Sequence, residues 1–247
     1  APVLFVFELS FSKDKNILNN FLILFPALLT VEMTKTVYTA QYGSNVSIEC
    51  KFSVGNSLNM KELRIYWQYI NQDGELQLVS KFENGEEQLK DQNDNYRERA
   101  HLLTDKLNSS LVVLQISKVK LTDAGDYRCL VDHGGADYKQ AHLKVEASYG
   151  NIKTNKKETH RDGEDTQIVL TCQSEGYPLA AVLWQADTNY NLSISGNTTH
   201  LLTPDGLFHV TSVLELTSKE YYNYSCIFWN EELNENTSAV FYVSGNI

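Results

Sequence analysis

Residues 123–129 read DAGDYRC: a tyrosine two places before a cysteine, with an aspartate four places further upstream. Earlier in the chain Cys50 is followed, 17 residues on, by Trp67. The same company recurs later, where Trp184 follows Cys172 by 12 residues and Tyr224 precedes Cys226 by two. A tryptophan on the third strand that packs on an inter-sheet disulfide, and a tyrosine corner two residues before the second cysteine, are the marks of one kind of β-sandwich. Seen twice, they predict an all-β chain of two tandem immunoglobulin-like sandwiches.

The spacing separates the two. The 79 residues from Cys50 to Cys129 leave room for the two extra strands of a variable-type domain, whereas the 54 from Cys172 to Cys226 fit a constant-type one. Closing a loop of roughly 80 residues removes on the order of 4 kcal/mol of unfolded-state freedom. That is a large share of the roughly 5–15 kcal/mol a domain has in total. Charge breaks at the same place. Residues 31–145 carry 14 Lys/Arg against 16 Asp/Glu, and 146–247 carry 5 against 13. We therefore expect an N-terminal segment over 1–29, a variable-type domain over 30–146 and a constant-type domain over 147–247, with the linker near Val145–Tyr149. Asp123 is expected to pair with Arg97 or Arg99 of the YRERA segment.

Of the 247 residues 42% are hydrophobic and 21% charged, ordinary for a globular protein, and the formal net charge is −10. That balance argues against nucleic acid and against an anionic membrane surface as partners. The cysteines show no C-x-x-C spacing, which leaves zinc and thiol–disulfide chemistry without support. Six N-x-S/T sequons, at Asn45, Asn108, Asn191, Asn197, Asn223 and Asn236, join the paired cysteines in pointing to the secretory route and a glycoprotein. Phe21–Leu29 (FLILFPALL), preceded by Lys13 and Lys15, has the length of a signal-peptide core, with a buried first strand as the alternative. No apolar run reaches the ~18 residues of a membrane span. A membrane anchor is expected beyond Ile247, with secretion the alternative.

Strand parity locates a face. Cys129 must point inward, so Tyr127 and Val131 do too, and Arg128, Leu130 and Asp132 face out. Trp67 points inward, which leaves Arg64, Tyr66 and Gln68 outside. In a variable-type domain these strands are neighbours, so the six residues share one outer surface. Gly134-Gly135 reads as the hairpin turn, and Asp137, Tyr138 and Lys139 begin the return strand. Tyr, Leu and Arg on a rigid sheet match the composition of protein–protein hot spots. Asn45 and Asn108 fall elsewhere on the first domain, and the other four sequons lie in the second.

Rival chemistries lack their residues. The Gly-Gly pair fits neither G-x-x-x-x-G-K-[ST] nor G-x-G-x-x-G, no G-x-S-x-G occurs, and the six histidines form no H-x-x-x-H pair. Glu86-Glu87 and Asp162–Asp165 read as solvated loop charge. Asp91–Asn95 (DQNDN) imitates a calcium linker but lies inside the first domain without the accompanying acidic motifs. The expectation is no enzyme, no catalytic residue, no cofactor, no metal and no small-molecule substrate.

Four segments of the first domain, YGSNVSIECKF (42–52), YRERAHLLTDKL (96–107), VKLTDAGDYRC (119–129) and GGADYK (134–139), resemble the programmed-death ligand family of immune checkpoint ligands, as does LTCQSEGYPLAAVLW (170–184) in the second. The first domain is closer to one of that family's two ligands, whereas TPDGLFHVTSVLEL (203–216) and CIFWN (226–230) are closer to the other. The resemblance covers roughly 30–243. It implies a cell-surface ligand that binds the programmed-death receptor on T cells through the front sheet of its variable-type domain and dampens their activation. It also implies a side-by-side contact with a costimulatory ligand on the same membrane.

Carried over residue by residue, the resemblance implies receptor contact at Tyr66, Arg128, Ala136, Asp137, Tyr138 and Lys139, with Asp132, Gly134 and Gly135 in the same patch. Arg64, Gln68, Asn71, Leu130 and Gln140 stand at contact positions but differ from the family's residues there. In this reading Tyr66 and Tyr138 anchor, Leu130 is the apolar centre, and Arg128, Asp137 and Lys139 set register and on-rate. The alternative is an immunoglobulin cell-adhesion molecule that uses the same face, either homophilically with a second copy of the chain or heterophilically.

Overall fold

A computed structural model describes residues 29–54, 57–159, 167–187, 193–217 and 223–243. The expected signal-peptide core up to residue 28, the sequon at Asn191 and the acidic run at 162–165 lie outside these.

In the first domain, strands β1 (Thr30–Met33), β2 (Val37–Gln41), β3 (Val46–Ser53), β4 (Arg64–Ile70), β5 (Leu76–Glu83), β6 (Glu86–Glu87), β7 (Ala100–Leu102), β8 (Leu111–Ile116), β9 (Gly125–Asp132) and β10 (Ala136–Glu146) form two sheets. The back sheet has the order β1-β3-β8-β7 and the front sheet β2-β10-β9-β4-β5-β6. β2 pairs in parallel with the second half of β10, from His142↔Val37 to Glu146↔Gln41. The extra strands allowed by the long first loop are β5 and β6, which extend the front sheet.

Alternation builds the core. β9 reads outside–inside from Tyr127 through Cys129 to Val131, all fully buried, and β4 does the same through Ile65 and Trp67. Trp67 lies beside Cys129 in register, and Cys129 is bonded to Cys50. The corner is closed by Tyr127, whose hydroxyl donates to the Asp123 carbonyl at 2.8 Å. Gly125 in the DAGDYRC run has φ +143°, and a Cβ there would lie 2.7 Å from the Tyr69 ring, so no larger residue fits.

The second domain has the back sheet β11 (Lys153–Thr159), β12 (Gln167–Gly176), β16 (Phe208–Thr217), β15 (Asn197–Leu202), and the front sheet β14 (Ser193–Ile194), β13 (Ala181–Ala186), β17 (Tyr224–Asn230), β18 (Glu235–Phe241). Cys172 and Cys226 are bonded, Trp184 lies beside Cys226, and its indole N–H donates to Ser212 Oγ at 2.9 Å. The junction is tight. Ala147 and Tyr177 exchange backbone hydrogen bonds at 2.9 and 2.8 Å, and Tyr149 is already buried in the second core.

Candidate functional site

The front sheet of the first domain arranges nine of the expected surface residues as a grid. Cross-strand register sets Arg64 opposite Asp132 and Asp132 opposite Ala136. The next row out is Tyr66, Leu130 and Tyr138, and the third is Gln68, Arg128 and Gln140. Rows two residues apart share a face, so all nine side chains project to the same side. The middle row is apolar and aromatic, flanked by polar rows, and Tyr138 is half exposed at 50%.

Polar contacts hold the grid in shape. The Arg128 guanidinium lies 5.0 Å over the Tyr138 ring and donates from Nε and Nη2 to Gln68 Oε1 at 3.0 and 2.7 Å. Arg64 reaches Glu83 at 3.2 Å and Asp132 at 3.6 Å. Lys81 meets Glu83 at 2.7 Å and lies 5.8 Å from the Tyr66 ring centre. The hydrogen bond from Lys81 holds the Glu83 carboxyl below its ordinary range, and the Lys81 ammonium is raised by the same contact. Sequence reasoning missed Lys81 and Glu83. The alternation Lys81-Phe82-Glu83 with Phe82 buried was the available signal, but the β4–β5 register shifts at Trp67/Gln68 and is not readable from spacing.

Asp137 and Lys139 fall on the other side of β10, opposite Val131 and Cys129. Asp137 Oδ2 accepts the Val31 N–H of β1 at 2.8 Å, and Oδ1 accepts the Tyr138 N–H at 2.8 Å. Partial burial pushes this carboxyl up, but the Val31 and Tyr138 N–H groups and the Lys139 ammonium outweigh it and hold it below the usual carboxylate range. Asp137 therefore ties the return strand to the back sheet, and Lys139 neutralises it from the rim at 3.3 Å.

The expected two-glycine turn is a three-residue connection, because Asp132 pairs with Ala136. His133 N–H donates to the Gly135 carbonyl at 3.0 Å, and Gly134 takes the positive φ of +68°. His133 Nε2 in turn accepts the Asn59 N–H at 3.1 Å, which fastens the hairpin to a neighbouring loop. Asn71 lies at the far end of β4, where Oδ1 accepts the N–H groups of Asp73 and Glu75.

The remaining candidates have structural employment. Asn93 of the DQNDN run caps a turn through the Asn95 N–H at 2.9 Å, Asp94 pairs with Arg97, and Gln92 is buried against the Val79 and Ala100 carbonyls. Among the described residues no three His, Cys, Asp or Glu stand together as a metal ion would need. Asn45 and Asn108 are exposed, the former at the start of the back-sheet strand β3 and the latter in the short 3-10 helix Thr104–Ser109, so neither shares the grid's face. Asn223, at the head of β17, is half-buried, and Asn197 and Asn236 are exposed on β15 and β18.

Comparison with known proteins agrees with this architecture. The immunoglobulin V-set domain family matches residues 33–147, and the family described as Butyrophilin subfamily 3 member A2-like, Ig-C domain, matches residues 154–238. The chain is 38% identical over 210 residues to programmed cell death 1 ligand 1 of Mus musculus, covering 85% of this chain and 70% of that protein. It is 27% identical over 202 residues to the CD276 antigen homolog of Xenopus laevis, covering 81% and 64%. Among solved structures, bovine butyrophilin superposes with a TM-score of 0.65 at 23% identity, over 88% of this chain and 99% of that one. A chain of the complex of ICOS with ICOS-L and an anti-ICOS-L VNAR domain gives 0.63 at 20% identity, over 85% and 100%. These two likenesses establish the fold. The relatives are immunoglobulin-domain ligands, a class without enzymatic activity.

Proposed function

Because the chain belongs to the programmed-death ligand family of immune checkpoint ligands, an extracellular class of immunoglobulin ectodomains, we propose that it is displayed on the outer face of the plasma membrane, binds the programmed-death receptor of T cells through the front sheet of its first domain, and inhibits their activation. The observation that carries the reading is the grid row Tyr66–Leu130–Tyr138 flanked by polar rows. Two tyrosines with few rotamers flank an apolar centre, which is the composition of an energetic focus surrounded by a polar rim. Arg128 is already stacked on Tyr138, so little side-chain freedom remains to be lost on docking.

A flat contact between sheets has no deep pocket to fill, and area alone does not make affinity, so micromolar rather than nanomolar binding is expected. Recognition without chemistry needs no cofactor. The second domain, which carries most of the net negative charge and most of the sequons, acts as a sugar-bearing spacer. A further contact with a costimulatory ligand on the same membrane belongs to the proposal on grounds of family alone.

The test is titration of the full ectodomain against the immobilised programmed-death receptor of the same or a closely related species, beside Tyr138→Ala. Saturable binding that the variant weakens at least tenfold, ~1.4 kcal/mol, supports both partner and face. Failure to bind a matched receptor, together with concentration-dependent self-association, would replace this reading with homophilic adhesion.

A further inference from the structure

The outer face of the second domain's front sheet is apolar where the rest of that domain is acidic. Inward-facing Trp184, Cys226, Phe228 and Phe241 set the parity, so the intervening residues of β13, β17 and β18 face out. Leu183 stands opposite Ile227, and Ser225 opposite Val240. Leu183 is 51% exposed, Val240 47% and Tyr242 73%, with Ile227 and Trp229 half-buried among them. The three outward rows, from Ala181 to Gln185 and across to β18, contain no charged residue. An uncharged face that carries an exposed apolar strip, Ala181, Leu183, Ile227 and Trp229, on an extracellular domain is usually covered by something.

What covers it is indicated by the register. Asn236, of the sequon Asn236-Thr237-Ser238, lies directly opposite Trp229. Directly opposed side chains stand about 4.5–5.5 Å apart at Cβ, so a sugar on the Asn236 amide begins beside the indole. A second sequon, Asn223-Tyr224-Ser225, opens the other end of β17, and a hollow of about 360 Å³ there is lined by Asn223, Ser225, Val240 and Tyr242 among others. Both sequon asparagines and both sequon hydroxyls, Ser225 and Ser238, therefore border one surface.

We propose that this sheet face is the seat of the chain's own N-linked oligosaccharides, attached at Asn236 and Asn223, with the first N-acetylglucosamine on Asn236 stacked against Trp229. The donor is a lipid-linked oligosaccharide pyrophosphate. The Asn236 amide nitrogen bonds to the anomeric carbon, the bond from that carbon to the pyrophosphate oxygen breaks, and the lipid pyrophosphate leaves with the electron pair. The amide proton passes to the transferring enzyme's base. One face of a pyranose presents C–H bonds polarised by neighbouring oxygens, which suit the electron-rich face of an indole. The opposite edge presents hydroxyls to water, so the sugar converts an apolar surface into a wet one. This inference requires only passage through the secretory route and is independent of what the first domain binds.

The chain has three tryptophans, and Trp67 and Trp184 are fully buried. Acrylamide quenching of intrinsic fluorescence therefore reads Trp229. The experiment uses the full chain from a glycosylating host, with site occupancy measured by mass spectrometry, beside Asn236→Gln and the control Asn197→Gln on the other sheet. Occupied Asn236, with quenching that rises in Asn236→Gln and stays unchanged in Asn197→Gln, is the expected result. Trimming the wild-type sugars to the first N-acetylglucosamine should keep Trp229 shielded. An unoccupied Asn236, or equal quenching in wild type and Asn236→Gln, overturns the inference, and receptor binding is unaffected in either case.

Discussion

Asp123 receives both terminal nitrogens of Arg99, Nη2 on Oδ1 at 2.8 Å and Nη1 on Oδ2 at 2.9 Å, while only 2% of its side chain is exposed. The same guanidinium donates to the carbonyls of Asn95, Ser117 and Lys118, and Asp123 Oδ2 also accepts the Lys120 N–H. One buried ion pair thus gathers two loops, β6–β7 and β8–β9, at the bottom of the first domain. Hydrogen bonding to Asp123 raises the guanidinium's proton affinity further. Removing one partner leaves a buried charge without its counterion, so Arg99→Ala is expected to cost about 3–5 kcal/mol. Chemical denaturation of the isolated variant measures it. A loss no larger than that of Arg97→Ala, whose side chain is exposed, would mean that the pair is ornamental.

How far this was legible in the sequence depends on which interactions are local. Strand parity from Trp67 and Cys129 was enough to place Arg64, Tyr66, Gln68, Arg128, Leu130 and Asp132 on one face, because side-chain period two is independent of the partner strand. The choice between Arg97 and Arg99 was not decidable by period, since the YRER segment is a run of turns in which Glu98 adopts a φ of +62°. Asp137 defied the pattern for a different reason. Its partner, the Val31 N–H, is 106 residues away on another sheet, and no spacing encodes that. Lys81 and Glu83 needed the β4–β5 register, which an irregularity displaces.

The tyrosine corner should show itself at alkaline pH. Burial, followed by the neighbouring Tyr96, pushes the Tyr127 phenol far up, and burial likewise raises Tyr96, whose hydroxyl is 3.0 Å from that of Tyr127. A group with a folded pKa above its unfolded one stabilises fully below the unfolded value, about 10 for tyrosine. That contribution is lost as pH rises toward the folded value, so stability should fall above pH ~10. Phenolate absorbance and circular dichroism should change together there. Tyr127→Phe leaves the buried Asp123 carbonyl without its donor and should cost about 1–3 kcal/mol at neutral pH. It should also flatten the alkaline limb.

Asp137 predicts an effect at the acid end. Its carboxyl is held below the ordinary range, so the stabilisation it supplies is present above the unfolded value of about 4 and is lost as pH falls through the folded value. What is lost is the tie to Val31, so the consequence is local. The protection of the Val31 amide and its β1 neighbours, measured relative to intrinsic exchange at each pH, should fall on acidification well before the domain unfolds. Asp137→Asn should accelerate the same amides at neutral pH while leaving Trp67 fluorescence unchanged. Exchange at Val31 that tracks global unfolding in both proteins would show that the tie carries no local strength.

Arg128 tests whether the candidate face works as a pre-organised unit. Its guanidinium is clamped by Gln68 Oε1 and stacked 5.0 Å over Tyr138. If its role is to hold the tyrosine ring, deleting Arg128 already forfeits part of what Tyr138 contributes to binding, and the two losses cannot add. A double-mutant cycle of Arg128→Ala and Tyr138→Ala, read as receptor affinity, should therefore show a coupling of about 0.5–1 kcal/mol, the size of an exposed cation–π contact. Arg128→Lys keeps the charge but not the planar fork that reaches Gln68 and covers the ring, so it should behave more like the alanine variant than like wild type. Additive losses, or full activity in Arg128→Lys, would mean that Arg128 meets the receptor directly as a point charge, and that the stack on Tyr138 is incidental to recognition.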